Sequence, residues 1–120
     1  PVVTFNPHLV PMSRGIIATC YTRPKTNVEW TDKSLLELYT TFYKNDPMIV
    51  VQEDLPQSKA VWGSDRAVVT VRFDARTGHI VAFATIDNMG KGAAGQAIQN
   101  FNVMHGYDET AGLMLGGIWP

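Results

Sequence analysis

The sequence lacks the features that mark several specialised classes of protein. Its one cysteine, Cys20, cannot form an internal disulfide, which is typical of a reducing compartment. Ten Lys and Arg residues balance eleven Asp and Glu residues without a run of like charge, so the composition gives no indication of binding to nucleic acid or to an anionic membrane. No apolar stretch reaches the roughly 20 residues of a membrane helix, and no charged-then-apolar leader opens the chain. We therefore expect a cytoplasmic protein or one of an organelle matrix.

Metal-ligating residues are also scarce. The three histidines are widely separated and are accompanied by a single cysteine, so no cluster has the spacing of a metal site. We expect His79, which follows a turn, and His105, which closes a helix, to be solvent-exposed or to interact with a helix dipole.

The chain contains enough apolar residues for one domain with its own core. Its 120 residues are 45% hydrophobic, which allows a core to form without disulfides or metals. The chain opens on Pro1 instead of Met, and residues 2–5 already alternate in the manner of a strand. These two features predict that the chain begins inside a longer protein.

Apolar periodicity predicts a mixture of strands and helices. Strand patterns cover 1–6, 16–21, 48–52, 68–73 and 79–86, and Gly78 allows a positive φ in the turn of the last hairpin. We expect the strand over 48–52 to be buried on both faces. A helix is predicted over 35–44, with an N-cap at Thr31 or Ser34 and a Ser34-x-x-Glu37 capping box. A second helix is predicted over 92–105. The fold class is α/β of the α+β type, with a mixed, mainly antiparallel sheet and helices on one face.

A glycine-rich segment precedes the second predicted helix. Residues 90–95, GKGAAG, match the dinucleotide pattern G-x-G-x-x-G, but residues from 107 onward do not resemble the second parallel strand of a Rossmann unit. A nucleoside triphosphate loop is excluded because no Ser or Thr follows Lys91 and Gly92. What remains is an anion site at the helix start, formed by unpaired N–H groups and Lys91. The alternative, which the pattern alone favours, is that Gly90 and Gly92 shape a turn and Gly95 permits close packing.

Residues near the start of the chain give weaker indications of chemistry. Cys20 lies in an apolar strand, where we expect a buried thiol with a raised pKa and no catalytic role. His8 lies in a proline-bounded loop, either as a general base or as a packing side chain. Arg14 either binds a carboxylate or phosphate through two parallel hydrogen bonds or forms a surface ion pair.

A polar pair, Asp87 and Asn88, follows the last predicted strand. Enzymes of the α/β class place ligand-orienting groups at such positions. An Asx turn or a helix cap explains the pair equally well.

The predicted hairpin carries many apolar side chains on one face. Val68, Val81 and Phe83 accompany Arg72 and Thr85 there. Such a face is usually covered by a helix or by a second subunit. We therefore expect a homo-oligomer.

Two long segments together resemble a known enzyme family. These are FNPHLVPMSRGI at 5–16 and DNMGKGAAGQAIQN at 87–100, with RTG at 76–78 between them and DETAGL at 108–113 after them. In this order they resemble the C-terminal part of N-acetyl-gamma-glutamyl-phosphate reductase, the NADPH-dependent enzyme of arginine biosynthesis. The resemblance covers nearly the whole chain.

The resemblance implies a fold and a reaction. The family is similar to aspartate-semialdehyde and glyceraldehyde-phosphate dehydrogenases, which combine a Rossmann cofactor domain with an α/β domain for substrate and subunit contacts. A cysteine thiolate attacks the acyl phosphate, phosphate leaves, and hydride from NADPH reduces the thioester to the semialdehyde. The family's Pro-Gly-Cys-Tyr and His-Arg-His motifs do not occur in this chain. The resemblance therefore assigns no catalytic residue here, and we expect the chain alone to be inactive.

The resemblance also suggests roles for individual residues. It implies cofactor contacts at Asn88, near the nicotinamide amide, and at Gly92, and substrate contacts at His8, Arg14 and Lys91. Residues 1–120 are then a substrate and dimerisation domain, in which the helix over 90–106 packs on a cofactor domain that this chain does not contain. The alternative function is a stand-alone anion-binding or oligomerisation module.

Overall fold

A four-stranded mixed sheet organises the computed structural model, which describes residues 2–25 and 28–118. The elements are β1 (Ile16–Thr22), α1 (Asp32–Phe42), β2 (Ile49–Val51), β3 (Ala67–Asp74), β4 (His79–Ile86) and α2 (Gly95–His105), with a 3₁₀ turn at Ser58–Val61 and a π turn at Gly90–Ala94. The strand order is β1-β4-β3-β2. β4 is antiparallel to both β1 and β3, whereas β2 runs parallel to β3. The predicted mixed, mainly antiparallel sheet is confirmed.

The β3–β4 hairpin forms where the sequence pattern predicts it. Asp74 accepts hydrogen bonds from the N–H groups of Arg76 and Thr77 and from the Thr77 hydroxyl, at 3.0, 3.4 and 2.7 Å. Gly78 then has a φ of 70°, in the region that favours glycine. This turn fixes β4 beside β3 and leaves the other edge of β4 free for β1.

Helix α1 packs on β3 and β2 and closes the core. Leu35 inserts against Val71 and Ile80, and all three side chains are buried. The predicted cap is partly wrong: Thr31 is the N-cap, and Ser34, at the third helical position, completes the capping box in place of Glu37. The helix also ends at Phe42, two residues before the predicted end.

Two of the predicted strands and the start of the second predicted helix need correction. The described residues 2–6 form no strand, because β1 already occupies the free edge of β4 and Pro7 and Pro11 interrupt further pairing. Strand β2 is half-buried, not buried on both faces, because it is the opposite edge of the sheet. The second helix starts as a π turn at Gly90 and becomes α-helical only at Gly95.

Cys20 is exposed, contrary to the prediction of a buried thiol. It lies in a strand as predicted, but every residue of β1 is exposed. The reason is tertiary: α1 packs mainly on β3 and β2, whereas β1 is the opposite edge of the sheet.

The face opposite α1 is covered only in part. Register pairs Val68 with Thr85 and Arg72 with Val81, which confirms that the apolar hairpin residues share one face. Residues 53–61 cover its centre, where Val61 and Thr85 are buried. Beyond them, Ile17, Tyr21 and Leu55 stay exposed beside half-buried Phe83. We call these four residues the open face, and two of them, Leu55 and Phe83, line an open groove of about 730 Å³.

Gly95 allows α2 to approach the preceding loop. A Cβ at this position would lie 2.0 Å from Oδ1 of Asp65, a carboxylate that the Met114 N–H holds in place through its Oδ2 at 2.8 Å. Gly→Ala in a helix normally stabilises. Here we expect Gly95→Ala to destabilise the protein by about 1–3 kcal/mol through overpacking, measured by urea unfolding.

Gly116 provides the matched control for this substitution. A Cβ there meets nothing within 4 Å, so Gly116→Ala should change stability by less than about 0.5 kcal/mol. Equal unfolding midpoints for Gly95→Ala and wild type would contradict the packing role of Gly95.

Candidate functional site

The candidate site forms where β1 begins and β4 ends. Ile16 pairs with Ile86, so the residues just before β1 and just after β4 must meet. Arg14 Nε donates to Asp87 Oδ1 at 2.9 Å, and Arg14 Nη2 lies 2.8 Å from Asp87 Oδ2. The Gly15 N–H donates to Asn88 Oδ1 at 2.7 Å. The predicted residues Arg14 and Asn88 are thus brought together from positions far apart in the sequence.

Asp87 is a buried carboxylate at the centre of this cluster. Besides the two bonds from Arg14, it accepts the N–H groups of Gly63 at 2.6 Å and Met89 at 2.9 Å. Burial raises the pKa of Asp87, but the hydrogen bonds from Arg14, Met89, Gly63 and Gly90 outweigh burial and lower it to about 2. The bond to Asp87 in turn raises the pKa of Arg14. Both groups are therefore charged at neutral pH.

The backbone at Arg14 and Gly15 is held by the 3₁₀ turn. Trp62 Nε1 donates to the Arg14 carbonyl oxygen at 3.2 Å. Gly15 has a φ of 101°, and a Cβ there would lie 3.1 Å from the Cβ of Ser58. Only glycine suits both conditions. The Arg14 side chain stays 36% exposed, so its outer edge is accessible to a ligand.

The π turn is shaped by backbone contacts to the same loops. The Gly92 N–H donates to the Asp87 carbonyl oxygen at 2.8 Å, and the Ala94 N–H donates to that of Met89 at 3.1 Å. A Cβ on Gly90 would lie 2.5 Å from the Ser64 carbonyl oxygen. Gly90 and Gly95 are therefore required for packing, while a cofactor contact at Gly92 stays a prediction.

Lys91 belongs to a polar chain that the sequence analysis did not identify. Its Nζ donates to Gln99 Oε1, and Gln99 Nε2 donates to Glu109 Oε1 at 2.5 Å. Asn102, buried in α2, donates to the carbonyl oxygens of Glu109 and Ala111 and so fixes this segment. The pKa of Lys91 is lowered, chiefly by burial, with Glu109 opposing the shift. The eight-residue spacing from Lys91 to Gln99, about two helical turns, is the signal that could have revealed the pair.

His8 lies apart from this cluster. It is exposed, and its Nδ1 is 3.2 Å from the carbonyl oxygen of Asn6. Its substrate role stays a prediction.

A cavity of about 260 Å³ adjoins the cluster between the loop at 63–65 and the start of α2. Arg14 and Asp87 line it together with Asp65, a second buried acid that sequence reasoning missed. Asp65 is fixed in both directions, since its N–H donates to the Met114 carbonyl oxygen at 2.7 Å and its carboxylate accepts the Met114 N–H. The cavity is small, but hydrogen bonds hold the ionisable side chains that line it in fixed positions.

Residues 2–25 and 28–118 contain neither a metal-binding cluster nor a membrane-spanning helix. Among these residues, no three His, Cys, Asp or Glu side chains converge as they would to hold a metal ion. The same residues include no helix with the length and apolar character needed to span a bilayer.

Acid titration of Asp87 should be visible in stability. Its pKa is about 2 in the folded protein against an ordinary 3.8, so its contribution is full above pH 3.8 and is lost as the pH falls toward 2. We expect the Tm difference between wild type and Asp87→Asn to be large at pH 7 and to shrink between pH 4 and pH 2. A difference that stays constant across this range would contradict the assignment.

Comparison with known proteins identifies the family. A family model described as semialdehyde dehydrogenase, dimerisation domain, matches residues 1–88. The chain is 47% identical, over 98% of its length, to the N-acetyl-gamma-glutamyl-phosphate reductase of Geobacillus sp. (strain WCH70), and 44% identical over 98% to that of Bacillus subtilis (strain 168). It covers 34% of each relative, so it spans about a third of their length. The resemblance read from 5–16 and 87–100 is confirmed, and the chain belongs to the semialdehyde dehydrogenase dimerisation-domain family.

Proposed function

We propose that this chain is the C-terminal substrate and dimerisation domain of an NADP-dependent N-acetyl-gamma-glutamyl-phosphate reductase of the cytoplasm. The parent enzyme would convert N-acetylglutamyl 5-phosphate to N-acetylglutamate 5-semialdehyde in arginine biosynthesis. The observation that carries the proposal is the identity of 43–47% to reductases of that name along almost the entire chain. The nucleophile and the dinucleotide fold would come from the remaining part of such an enzyme.

Arg14 is proposed to bind an anionic group of the substrate. Asp87 occupies the Nε and Nη2 edge of its guanidinium. A guanidinium has five N–H donors, so a second edge with Nη1 is available for a phosphate or carboxylate. Lys91 would add positive charge and hydrogen-bond donors. Its ammonium group has three N–H donors, and the bond to Gln99 uses one of them. His8 is proposed to approach the substrate from the loop that precedes Arg14.

Asn88 is proposed to contact the nicotinamide of NADPH, which would supply hydride when bound. Its Oδ1 already accepts the Gly15 N–H. The group that Asn88 can offer is therefore its Nδ2, a donor suited to the carbonyl oxygen of a carboxamide. Asn88 would therefore make one polar contact with the cofactor, and the backbone at Gly92, which has no side chain, would allow the cofactor to approach closely next to it.

The open face is proposed to bind a second copy of this chain. The family to which the chain belongs is described as a dimerisation domain. Ile17 and Tyr21 expose 54% and 71% of their surface, which is unfavourable for a face left in water. The outer side of α2, with Ile98, Phe101 and Met104 exposed, is in turn proposed to pack on the cofactor domain.

The function is tested in the full-length protein that carries this chain. We expect NADPH oxidation that depends on the acyl phosphate, and we expect Asn88→Asp to raise the KM for NADPH roughly two- to tenfold, the equivalent of one hydrogen bond. Asn88→Asp removes the Nδ2 donor but keeps an acceptor for the Gly15 N–H.

Asn88→Ala separates the two roles of this side chain. If Asn88 only holds Gly15, Asn88→Ala should be impaired and Asn88→Asp should behave as wild type, which would contradict the cofactor contact. Absence of acyl-phosphate-dependent NADPH oxidation in the wild-type protein would contradict the proposed function itself.

The oligomer is tested by placing charge on the open face. Tyr21→Asp should shift the full-length protein toward monomer in sedimentation at micromolar concentration, because a buried unpaired carboxylate opposes association. Phe42→Asp, an exposed aromatic at the end of α1 on the opposite side of the sheet, is the matched control and should leave the oligomer intact. A wild-type monomer would show that the open face has no second copy on it.

A further inference from the structure

We propose that Asp87 is a positioning residue that holds the substrate-binding guanidinium of Arg14 and the cofactor-binding amide of Asn88 as one unit. This inference rests on the proposed function of Arg14 and Asn88. It assigns to Asp87 a role in the reaction beyond a stabilising ion pair.

The first argument is the bidentate geometry of the ion pair between Arg14 and Asp87, which we call the fork. Two parallel bonds from Arg14 to Asp87, at 2.9 and 2.8 Å, fix both the position and the plane of the guanidinium. A single point contact would leave the plane free to rotate. The Asp87 side chain is fully buried while that of Arg14 is 36% exposed, so the carboxylate lies in the interior and part of the arginine side chain is accessible at the surface.

The second argument is that Asp87 is itself immobilised. Its oxygens accept the N–H groups of Gly63 and Met89 from two separate loops. An exposed carboxylate on a flexible side chain could follow Arg14, but this one cannot. Arg14 is therefore held against a rigid acceptor.

The third argument is the link to Asn88. The next residue along the chain, Asn88, accepts the N–H of Gly15, the residue that follows Arg14. Residues 14–15 are thus joined to residues 87–88 through two adjacent side-chain acceptors, Asp87 and Asn88, with every one of these bonds donated from residues 14–15. A displacement of the backbone at Arg14 and Gly15 would therefore also disturb the amide of Asn88.

A double-mutant cycle in the full-length enzyme tests this role. Asp87→Asn places an NH₂ donor against an arginine N–H, so the guanidinium should swing away and the KM for the acyl phosphate should rise about tenfold. In an Arg14→Ala background, the same substitution should change that KM by less than twofold, because its effect acts through Arg14. An additive effect, or a lowered Tm with unchanged KM in Asp87→Asn, would overturn the proposal.

Two further variants keep the result interpretable. Asp74→Asn removes a carboxylate that also accepts backbone N–H groups, but in the hairpin turn, and should leave the KM unchanged. If Asp87→Asn does not fold, Arg14→Lys keeps the positive charge beside the carboxylate but lacks the fork; an unchanged KM for the acyl phosphate in this variant would overturn the proposal. These outcomes differ from a wild-type protein without acyl-phosphate-dependent activity, which would refute the proposed function instead.

Discussion

The buried carboxylate of Asp87 is the constraint on which this end of the molecule depends. A carboxylate removed from water is costly unless charge and hydrogen bonds compensate it. Here the compensation comes from Arg14, Gly63 and Met89, which belong to three segments far apart in the sequence. Each segment must keep its position for the carboxylate to remain satisfied. The entry to β1, the end of the 3₁₀ turn and the π turn are therefore mutually fixed.

A second buried acid explains the glycines that follow. Asp65 lies against the start of α2, and a Cβ at Gly95 or Gly90 would collide with it or with the Ser64 backbone. The pattern that resembles a dinucleotide fingerprint thus has a packing cause at two of its three glycines. The same spacing arises in Rossmann folds because one glycine there permits close packing of helix and strand. A glycine pattern alone cannot distinguish approach of a ligand from approach of a side chain.

Local features of the fold could be predicted from the sequence, and tertiary ones could not. The β3–β4 hairpin and α1 follow from periodicity and turn residues within each segment. The exposure of Cys20 depends on where α1 packs, and the absence of a strand at 2–6 depends on which strand takes the edge of β4. The Arg14–Asp87 pair spans 73 positions and exists only because of the β1–β4 register. Motif resemblance indicated Arg14 and Asn88, but no local signal showed that Asp87 joins them.

The polar cluster and the exposed apolar surfaces have different consequences for binding. Val2, Phe5 and Leu9 in the segment before Arg14, and Phe101 on α2, are exposed. A partner that covered the exposed part of Arg14 would enclose the cluster. Enclosure removes water and strengthens the interaction of Arg14 with an anion. The orientation of Arg14, however, is already set by Asp87 within this domain. Because the guanidinium need not be ordered again when a ligand binds, less conformational entropy is lost. A domain that supplies orientation and a partner that supplies enclosure can together form a site that neither contains alone.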